Sequence, residues 1–399
     1  MFDRAAAERE RWGIPGLAVG LAFEGRSETR SYGVTSVEDG TPVTGATSFR
    51  IASITKPFVA TLASLVLDLD EPLETPAGRA TPRQLLSHSG GLHCEAAERF
   101  EPEWPLAEAL ARSELRAFGA PGELYAYSNA GFWLVGAAIE RACGRRLEEA
   151  LQERVLAPLG LSGTGFDSPA AEGHEPVGPG APEHRAFAGM PYPVARRPSG
   201  GLVSTVGDLL RFAAHHLAEP SLAFMRRPLI AMPGGSYGLG WMIETRGDAT
   251  LVFHPGSVAG YQSLLLLVPE LDFAFAGLSN SARGSAAIRR VCGFALRELC
   301  GLPPDETVYL ELTPERLAPV AGRYRMDGDE AVVTVENRGL RVELATHDPL
   351  GGEAQEPPLV ARPVGEREFV VVEGESKGTR FDFPGRFLRL GALLERVED

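Results

Sequence analysis

Two kinds of hydrophobic pattern run along the chain, and the switches between them mark its elements. Residues 1–11 carry helical character, and GIPGLAVGLAFEG (13–25) then opens a β-hairpin that turns at Gly25-Arg26 and returns through Glu28–Val34. Residues 50–70 become helical, with ITKPFVATLASLVLDL as a mostly apolar helix. Pro57 is tolerated only in a first helical turn, so this helix must begin close to Ser53. AGFWLVGAAIERAC (130–143) forms a second apolar helix, and Gly144 stops it. Residues 145–240 are mixed. Within them a Pro/Gly/His-rich passage, 168–200, is too long for an idle connection and reads as a covering loop.

Strands return at 251–254 (LVFH), 262–268 (QSLLLLV) and 272–278 (DFAFAGL), followed by a helix at 285–300. After Gly301-Leu-Pro-Pro the period changes again. Residues 319–399 show short alternating runs, AVVTV, LRVEL and EFVVVE, separated by turn signals such as Glu336-Asn-Arg-Gly. This pattern predicts a small antiparallel barrel. Two domains are expected, residues 1–305 and 312–399, with no internal repeat.

Composition narrows the function classes. The chain has 399 residues, 44% hydrophobic and 23% charged, enough for a large core plus a smaller second unit. Its 46 Gly and 31 Pro suit a loop-rich enzyme rather than a helical bundle. A net charge of −14 with no Lys/Arg-rich run argues against nucleic acid or an anionic membrane as partner. No stretch approaches the ~18 apolar residues of a membrane span. The N-terminal segment has no basic start leading into an apolar core, so a cytoplasmic protein is expected. Cys292 and Cys300 sit eight residues apart on a predicted helix. At ~1.5 Å per residue they are ~12 Å apart, too far to bridge. With Cys94 and Cys143 they make no Cys-x-x-Cys pair, and all four read as reduced structural thiols.

Three short segments carry candidate chemistry. In Phe49-Arg-Ile-Ala-Ser53-Ile-Thr-Lys56, a serine and a lysine three apart at a helix start share one face. The helix terminus favours an alkoxide-like serine, and a desolvated lysine can accept its proton. In Tyr127-Ser128-Asn129 a phenol and a carboxamide point the same way in an extended turn. Tyr127 then shuttles a proton to the leaving group, and Asn129 holds a substrate carbonyl and Lys56. The alternative makes Asn129 an N-cap and Tyr127 a boundary aromatic. In His254-Pro255-Gly256-Ser257, closing the strand TLVFH, His254 either assists the chemistry or is structural. Gly256 and Ser257 are candidates for binding substrate, and the backbone N–H groups of Ser53 and Ser257 for an oxyanion hole.

Together these residues resemble the class C β-lactamase and penicillin-binding-protein superfamily, in the branch of D-aminopeptidases and family VIII-type esterases. Further motifs follow in order: Leu85-Leu86-Ser87-His88-Ser89-Gly90-Gly91-Leu92, Ser199-Gly200-Gly201-Leu202-Val203-Ser204-Thr205, Asp208-Leu209 and Tyr237-Gly-Leu-Gly-Trp241. The resemblance covers roughly residues 8–300. It implies an α/β sandwich, an antiparallel sheet flanked by helices, with an all-helical region and the site between them. It also implies a C-terminal lipocalin-like barrel over 312–399. Ser53, Lys56, Tyr127 and Asn129 would act as nucleophile, base partner, proton relay and substrate-amide holder. His88 and Gly90-Gly91 look structural.

The chain departs from dedicated β-lactamases at the third segment, where those enzymes carry Lys-Thr-Gly and this one has His-Pro-Gly. Histidine titrates near ~6.5 and lysine near ~10.4, so fixed positive charge is lost at neutral pH. Pro255 also offers no hydroxyl. Weak or absent β-lactamase activity is therefore expected.

No metal or cofactor is expected, because His215-His216 and His88/His93 have no carboxylate or cysteine at a zinc spacing. The absence of Gly-x-Ser-x-Gly argues against an α/β-hydrolase. Trp133, Tyr192, Tyr237 and Trp241 line a pocket or fill the core. Arg196 and Arg197 meet a substrate carboxylate or form a solvated pair. The expected protein is a cofactor-free serine hydrolase or acyl-transferase on a small-molecule or peptide substrate, a D-amino-acid peptidase or carboxylesterase. A peptide-cyclising thioesterase is a variant of this. A non-catalytic ligand-binding protein is a reading of another class. The oligomeric state is left open.

Overall fold

The apolar run Tyr261–Val268 does not alternate because both faces of its sheet are covered. Eight strands form that sheet: β1 (Gly16–Phe23), β2 (Arg26–Gly33), β3 (Ile230–Met232), β4 (Gly235–Tyr237), β5 (Met242–Arg246), β6 (Ala249–Val258), β7 (Tyr261–Val268) and β8 (Phe273–Ser279). Their order is β2-β1-β8-β7-β6-β5-β4-β3, every neighbour antiparallel. This computed structural model describes residues 1–93, 103–177, 183–186, 192–304, 307–326, 329–348, 352–355, 357–374 and 376–397. Cys94 and parts of the expected covering loop 168–200 lie outside the described residues.

Successive side chains on a strand point to opposite faces, so β7 and β8 feed two cores. Leu264, Leu266, Phe273 and Phe275 join the core beneath α1 (Phe2–Arg11) and α5 (Gly284–Cys300). Leu265, Leu267, Ala274 and Ala276 join the other, beneath α2 (Thr55–Val66), α3 (Asn129–Cys143) and α4 (Val206–Ala218). On β8 Phe273 and Phe275 thus face one side and Ala274 and Ala276 the other. Two glycines permit the close approaches: a Cβ on Gly20 would stand 2.7 Å from Val206 of α4, and one on Gly277 2.7 Å from Ile288 of α5. Short helices at 82–86, 106–112 and 147–151 join α3 in the helical region.

The hairpin between β1 and β2 turns one residue earlier than the sequence pattern suggests. Phe23 pairs with Arg26, and Glu24 (φ 50) and Gly25 (φ 72) form the loop. Both are left-handed, as a two-residue type I′ turn requires. The helices end where expected, at Gly144 (φ 63) and Gly301 (φ 64). Cys143, Cys292 and Cys300 are free thiols. Among the described residues no helix is long and apolar enough to cross a membrane.

The C-terminal strands are β9 (Gly322–Met326), β10 (Asp329–Glu336), β11 (Gly339–Asp348), β12 (Gly352–Gln355), β13 (Leu359–Pro363), β14 (Glu368–Val371), β15 (Arg380–Asp382), β16 (Phe387–Leu390) and β17 (Ala392–Val397). β10 pairs with both β9 and β11, which closes an antiparallel barrel, and β12 extends β11 outside the ring. Alternate residues, such as Ala331 and Val333 on β10, fill its own core with Phe369, Phe381 and Leu388.

One arginine ties the barrel to the helical region. Arg389 forms a bidentate pair with Asp382 and donates from Nη1 to the carbonyl oxygen of Tyr125 (2.8 Å). Gly234 N–H also donates to Glu368 Oε1 (2.9 Å), and the rings of Phe118 and Phe387 meet at 6.1 Å. Arg389 is buried, so losing it strands a carboxylate and a carbonyl. Arg389→Ala is expected to cost about 3 kcal/mol in urea unfolding followed by circular dichroism. An unchanged midpoint would mean that Arg389 does not join the two parts.

Candidate active site

The Ser53 segment is shaped by strain and by packing from both sides. Phe49-Arg50 pairs with Val203-Ser204, and Ile51 N–H donates to Leu202 O (3.0 Å). Ala52 is left-handed (φ 45), an unfavourable conformation for a residue with a Cβ, and it turns the chain sharply into a 3₁₀ turn at 52–54. α2 begins at Thr55, with Pro57 inside its first turn as its chemistry requires. On the other side, a Cβ on Gly256 would stand 2.1 Å from Ile51 O, so only glycine lets β6 lie against this turn.

Ser53 Oγ is half-buried and lies between two polar groups. Lys56 Nζ donates to it at 3.1 Å and Tyr127 OH at 2.9 Å. Lys56 is fully buried, and its nitrogen also donates to Asn129 Oδ1 (2.8 Å) and Ser199 O (2.7 Å). The nitrogen is held within hydrogen-bond reach of the serine, and as a neutral amine it can take the serine's proton.

The two readings of Tyr127-Ser128-Asn129 separate clearly. Ser128 caps α3, accepting from Gly131 N–H (3.2 Å), which leaves Asn129 as the first helical residue, turned to Lys56. Ser128 N–H donates to His88 Nδ1 (2.9 Å), and the His88 ring lies against that of Tyr127 with centroids 4.2 Å apart. Buried His88 therefore props the segment that carries Tyr127.

At His254 the sequence expectation needs correction. The strand does not end there but runs on to Val258, straight through Pro255. β6 pairs with β5 only as far as Phe253, so beyond it one edge is open and proline breaks no ladder there. The His254 ring is fully buried rather than presented to substrate. Its Nδ1 lies 2.6 Å from Pro255 O, which can only accept, so Nδ1 carries the proton and Nε2 accepts from Tyr237 OH at 2.9 Å. Burial, and secondarily Lys56, push its pKa down to about 3, so it is neutral at physiological pH. It thus carries no cationic charge, and it makes no hydrogen bond to Ser53, Lys56 or Tyr127 among the described residues.

Ser257 is exposed, and its Oγ accepts from Gln262 Nε2 (2.8 Å). By the alternation of an antiparallel ladder its N–H points the same way as the Pro255 nitrogen, to the open edge. The Ser53 N–H precedes the first bond of its turn, Ile54 N–H to Ile51 O (3.1 Å). Both N–H groups are thereby placed ahead of regular pairing.

Several neighbours carry no functional signal of their own in the sequence. Ser199 contributes its carbonyl, and its Oγ accepts from Trp133 Nε1 (2.9 Å). Tyr237 OH donates to His254 Nε2 (2.9 Å). Gly240 (φ 77) lets its loop touch α2, where a Cβ would be 2.8 Å from Ala60. The only available hint was that these residues lie in the Ser-Gly-Gly and Tyr-Gly-Leu-Gly-Trp motifs. Trp133, Tyr237 and Trp241 are core residues. Arg197 is not a solvated residue: it pairs with Glu148 and lies over the Phe166 ring.

Known proteins resemble this chain over most of its length. Residues 4–291 match the protein-family model named Beta-lactamase. The unguisins hydrolase ungD' of Aspergillus campestris is 24% identical over 331 residues, 69% of this chain and 60% of the hydrolase. The chain therefore spans about three-fifths of that relative's length. The D-alanyl-D-alanine-carboxypeptidase/endopeptidase AmpH of Escherichia coli is 25% identical over 315 residues, 67% of this chain and 80% of AmpH. Among solved structures, SurE superposes with a TM-score of 0.76 and 27% identity over 99% of this chain and 98% of its own. SurE has also been solved with D-Leu.

Three buried histidines make acid sensitivity a consequence of this packing. His216 is pushed down to about 3 by burial, as is His254, and burial holds His88 well below the usual range. All three are neutral in the fold but take up protons in the unfolded chain below pH ~6.5. Their stabilisation is full above that pH and is lost as pH falls towards 3. Urea unfolding at a series of pH values should show stability dropping from pH 6.5 to 4 with an uptake approaching three protons. A flat profile would contradict the burial of neutral rings.

Proposed function

The chain belongs to the β-lactamase family, and on that premise we propose a cofactor-free serine acyl enzyme that cleaves an amide or ester beside a D-configured residue. The observation that carries this reading is Ser53 Oγ held between Lys56 Nζ (3.1 Å) and Tyr127 OH (2.9 Å). Ser53 attacks the carbonyl while its proton passes to the Lys56–Tyr127 pair. The tetrahedral oxyanion is met by the N–H groups of Ser53 and Ser257. Tyr127 returns the proton to the departing amine or alcohol, and Asn129 holds both Lys56 and the substrate amide. Water or another acceptor then releases the acyl group from Ser53. His254 acts in this scheme as a neutral support rather than a proton carrier. The D-configuration draws on AmpH, a D-alanyl-D-alanine-carboxypeptidase/endopeptidase, and on SurE solved with D-Leu.

The test compares D-alanine p-nitroanilide with p-nitrophenyl butyrate. Ser53→Ala should abolish turnover of both and block labelling by a fluorophosphonate, whereas Tyr127→Phe should cut kcat by ~10²–10⁴-fold. Cleavage of the D-amide supports the peptidase reading, and cleavage of the ester alone would replace it with a carboxylesterase or acyl-transferase. An unlabelled Ser53 would favour a ligand-binding protein without catalysis.

A second expectation concerns β-lactams. A neutral His254 and a hydroxyl-free Pro255 leave these two positions without a cation or a hydroxyl for the β-lactam carboxylate. Nitrocefin turnover should therefore be slow, and a rate typical of a dedicated β-lactamase would overturn this view of the segment.

A further inference from the structure

Between the free end of the sheet and the barrel runs a cleft of about 710 Å³, and Tyr127 forms part of its wall. Met242, Glu244 and Arg246 of β5 line it, alternating onto one face of the strand, with Arg380 and Arg389 of the barrel opposite. Its lining includes both Tyr127 and Arg246. Arg246 pairs with Ala249, eight residues along β6 from Ser257, which is roughly 26 Å of strand. A single amino-acid derivative cannot reach from the reacting carbonyl to Arg246, whereas an extended peptide can.

The charges along the cleft differ in how they are engaged. Arg389 is neutralised by Asp382 and committed to Tyr125 O, and Arg380 pairs with Glu368 at 3.3 Å. Arg246 is half-buried and makes no ion pair or hydrogen bond among the described residues. It is the lining cation with its guanidinium uncommitted, in a chain whose net charge is −14. A guanidinium in that position is suited to a carboxylate, which it can grip through two parallel N–H donors.

We propose that this cleft binds the leaving-group side of an extended peptide substrate, and that Arg246 holds the carboxylate at its C-terminus. The direction rests on the reading above, in which Tyr127 hands a proton to the leaving group, because Tyr127 is both a partner of Ser53 and a wall of the cleft. The substrate class is then a peptide with a D-residue at the scissile bond and several residues after it.

The test measures binding by calorimetry to the Ser53→Ala protein, where no turnover interferes. The probes are N-acetyl-D-Ala followed by one to seven Gly/Ser residues, each as free acid and as C-terminal amide. Acid and amide should bind alike when short. Once the chain spans the cleft, at roughly six residues, the acid should bind about tenfold tighter. Adding Arg246→Gln should erase that preference and Arg246→Glu should invert it. Equal affinity of acid and amide at every length, a preference that survives Arg246→Gln, or no measurable binding of any peptide would overturn the proposal. Fluorophosphonate labelling of the protein with Ser53 and Arg246 both intact, set beside the acid preference measured in Ser53→Ala, separates the two readings. A labelled Ser53 without an acid preference sinks the cleft alone, and an acid preference with an unlabelled Ser53 sinks the catalysis alone.

Discussion

The site depends on one buried nitrogen. Lys56 Nζ is shielded from water and must find its partners inside the protein, since an unpaired amine there would cost several kcal/mol. It finds three: Ser53 Oγ, Asn129 Oδ1 and Ser199 O. These oxygens come from the turn before α2, the start of α3 and the loop before α4. One lysine thus draws together three segments far apart in sequence, and the serine it touches becomes part of that junction. The phenyl ring of Phe132 and the phenol of Tyr127 cover the nitrogen at 5.4 and 4.8 Å, which keeps the junction dry.

Around it, the structure supports Tyr127 from several directions. Its OH meets Ser53, its ring lies on His88, and the preceding carbonyl of Tyr125 is gripped by Arg389 of the barrel. The barrel therefore has a physical connection to the proton-handling side of the site, two residues from Tyr127. This makes it a wall and a brace, whatever ligand its own interior accepts.

Replacing the lysine of dedicated β-lactamases by His254 changes more than a pKa. A lysine presents a mobile point charge, whereas this imidazole is locked as one neutral tautomer between Pro255 O and Tyr237 OH. The segment keeps its shape through Gly256 and its backbone N–H at Ser257, but gives up its cation. A carboxylate must then be met elsewhere, if it is met at all, and the nearest uncommitted guanidinium of the adjoining cleft belongs to Arg246.

Local chemistry made much of this legible in the sequence. Period and punctuation placed α1, α3 and the strands at 262–268 and 272–278, because glycine stops and apolar runs act over a few residues. The Ser53-x-x-Lys56 spacing and the Pro57 constraint located the turn that carries Ser53, since both follow from helix geometry alone. What the sequence could not decide was every feature set by distant segments. Pro255 looked like the end of a strand because proline removes a ladder donor, yet β5 stops short and leaves the edge open. His254 looked titratable near neutrality because its burial beside Lys56 and its bond to Tyr237 exist only in the folded chain. Ser199, Arg389 and Arg246 are anonymous as letters. They acquire roles from long-range packing, which brings a carbonyl to a lysine, a guanidinium to a carbonyl 264 residues away, and a cation to the wall of a cleft.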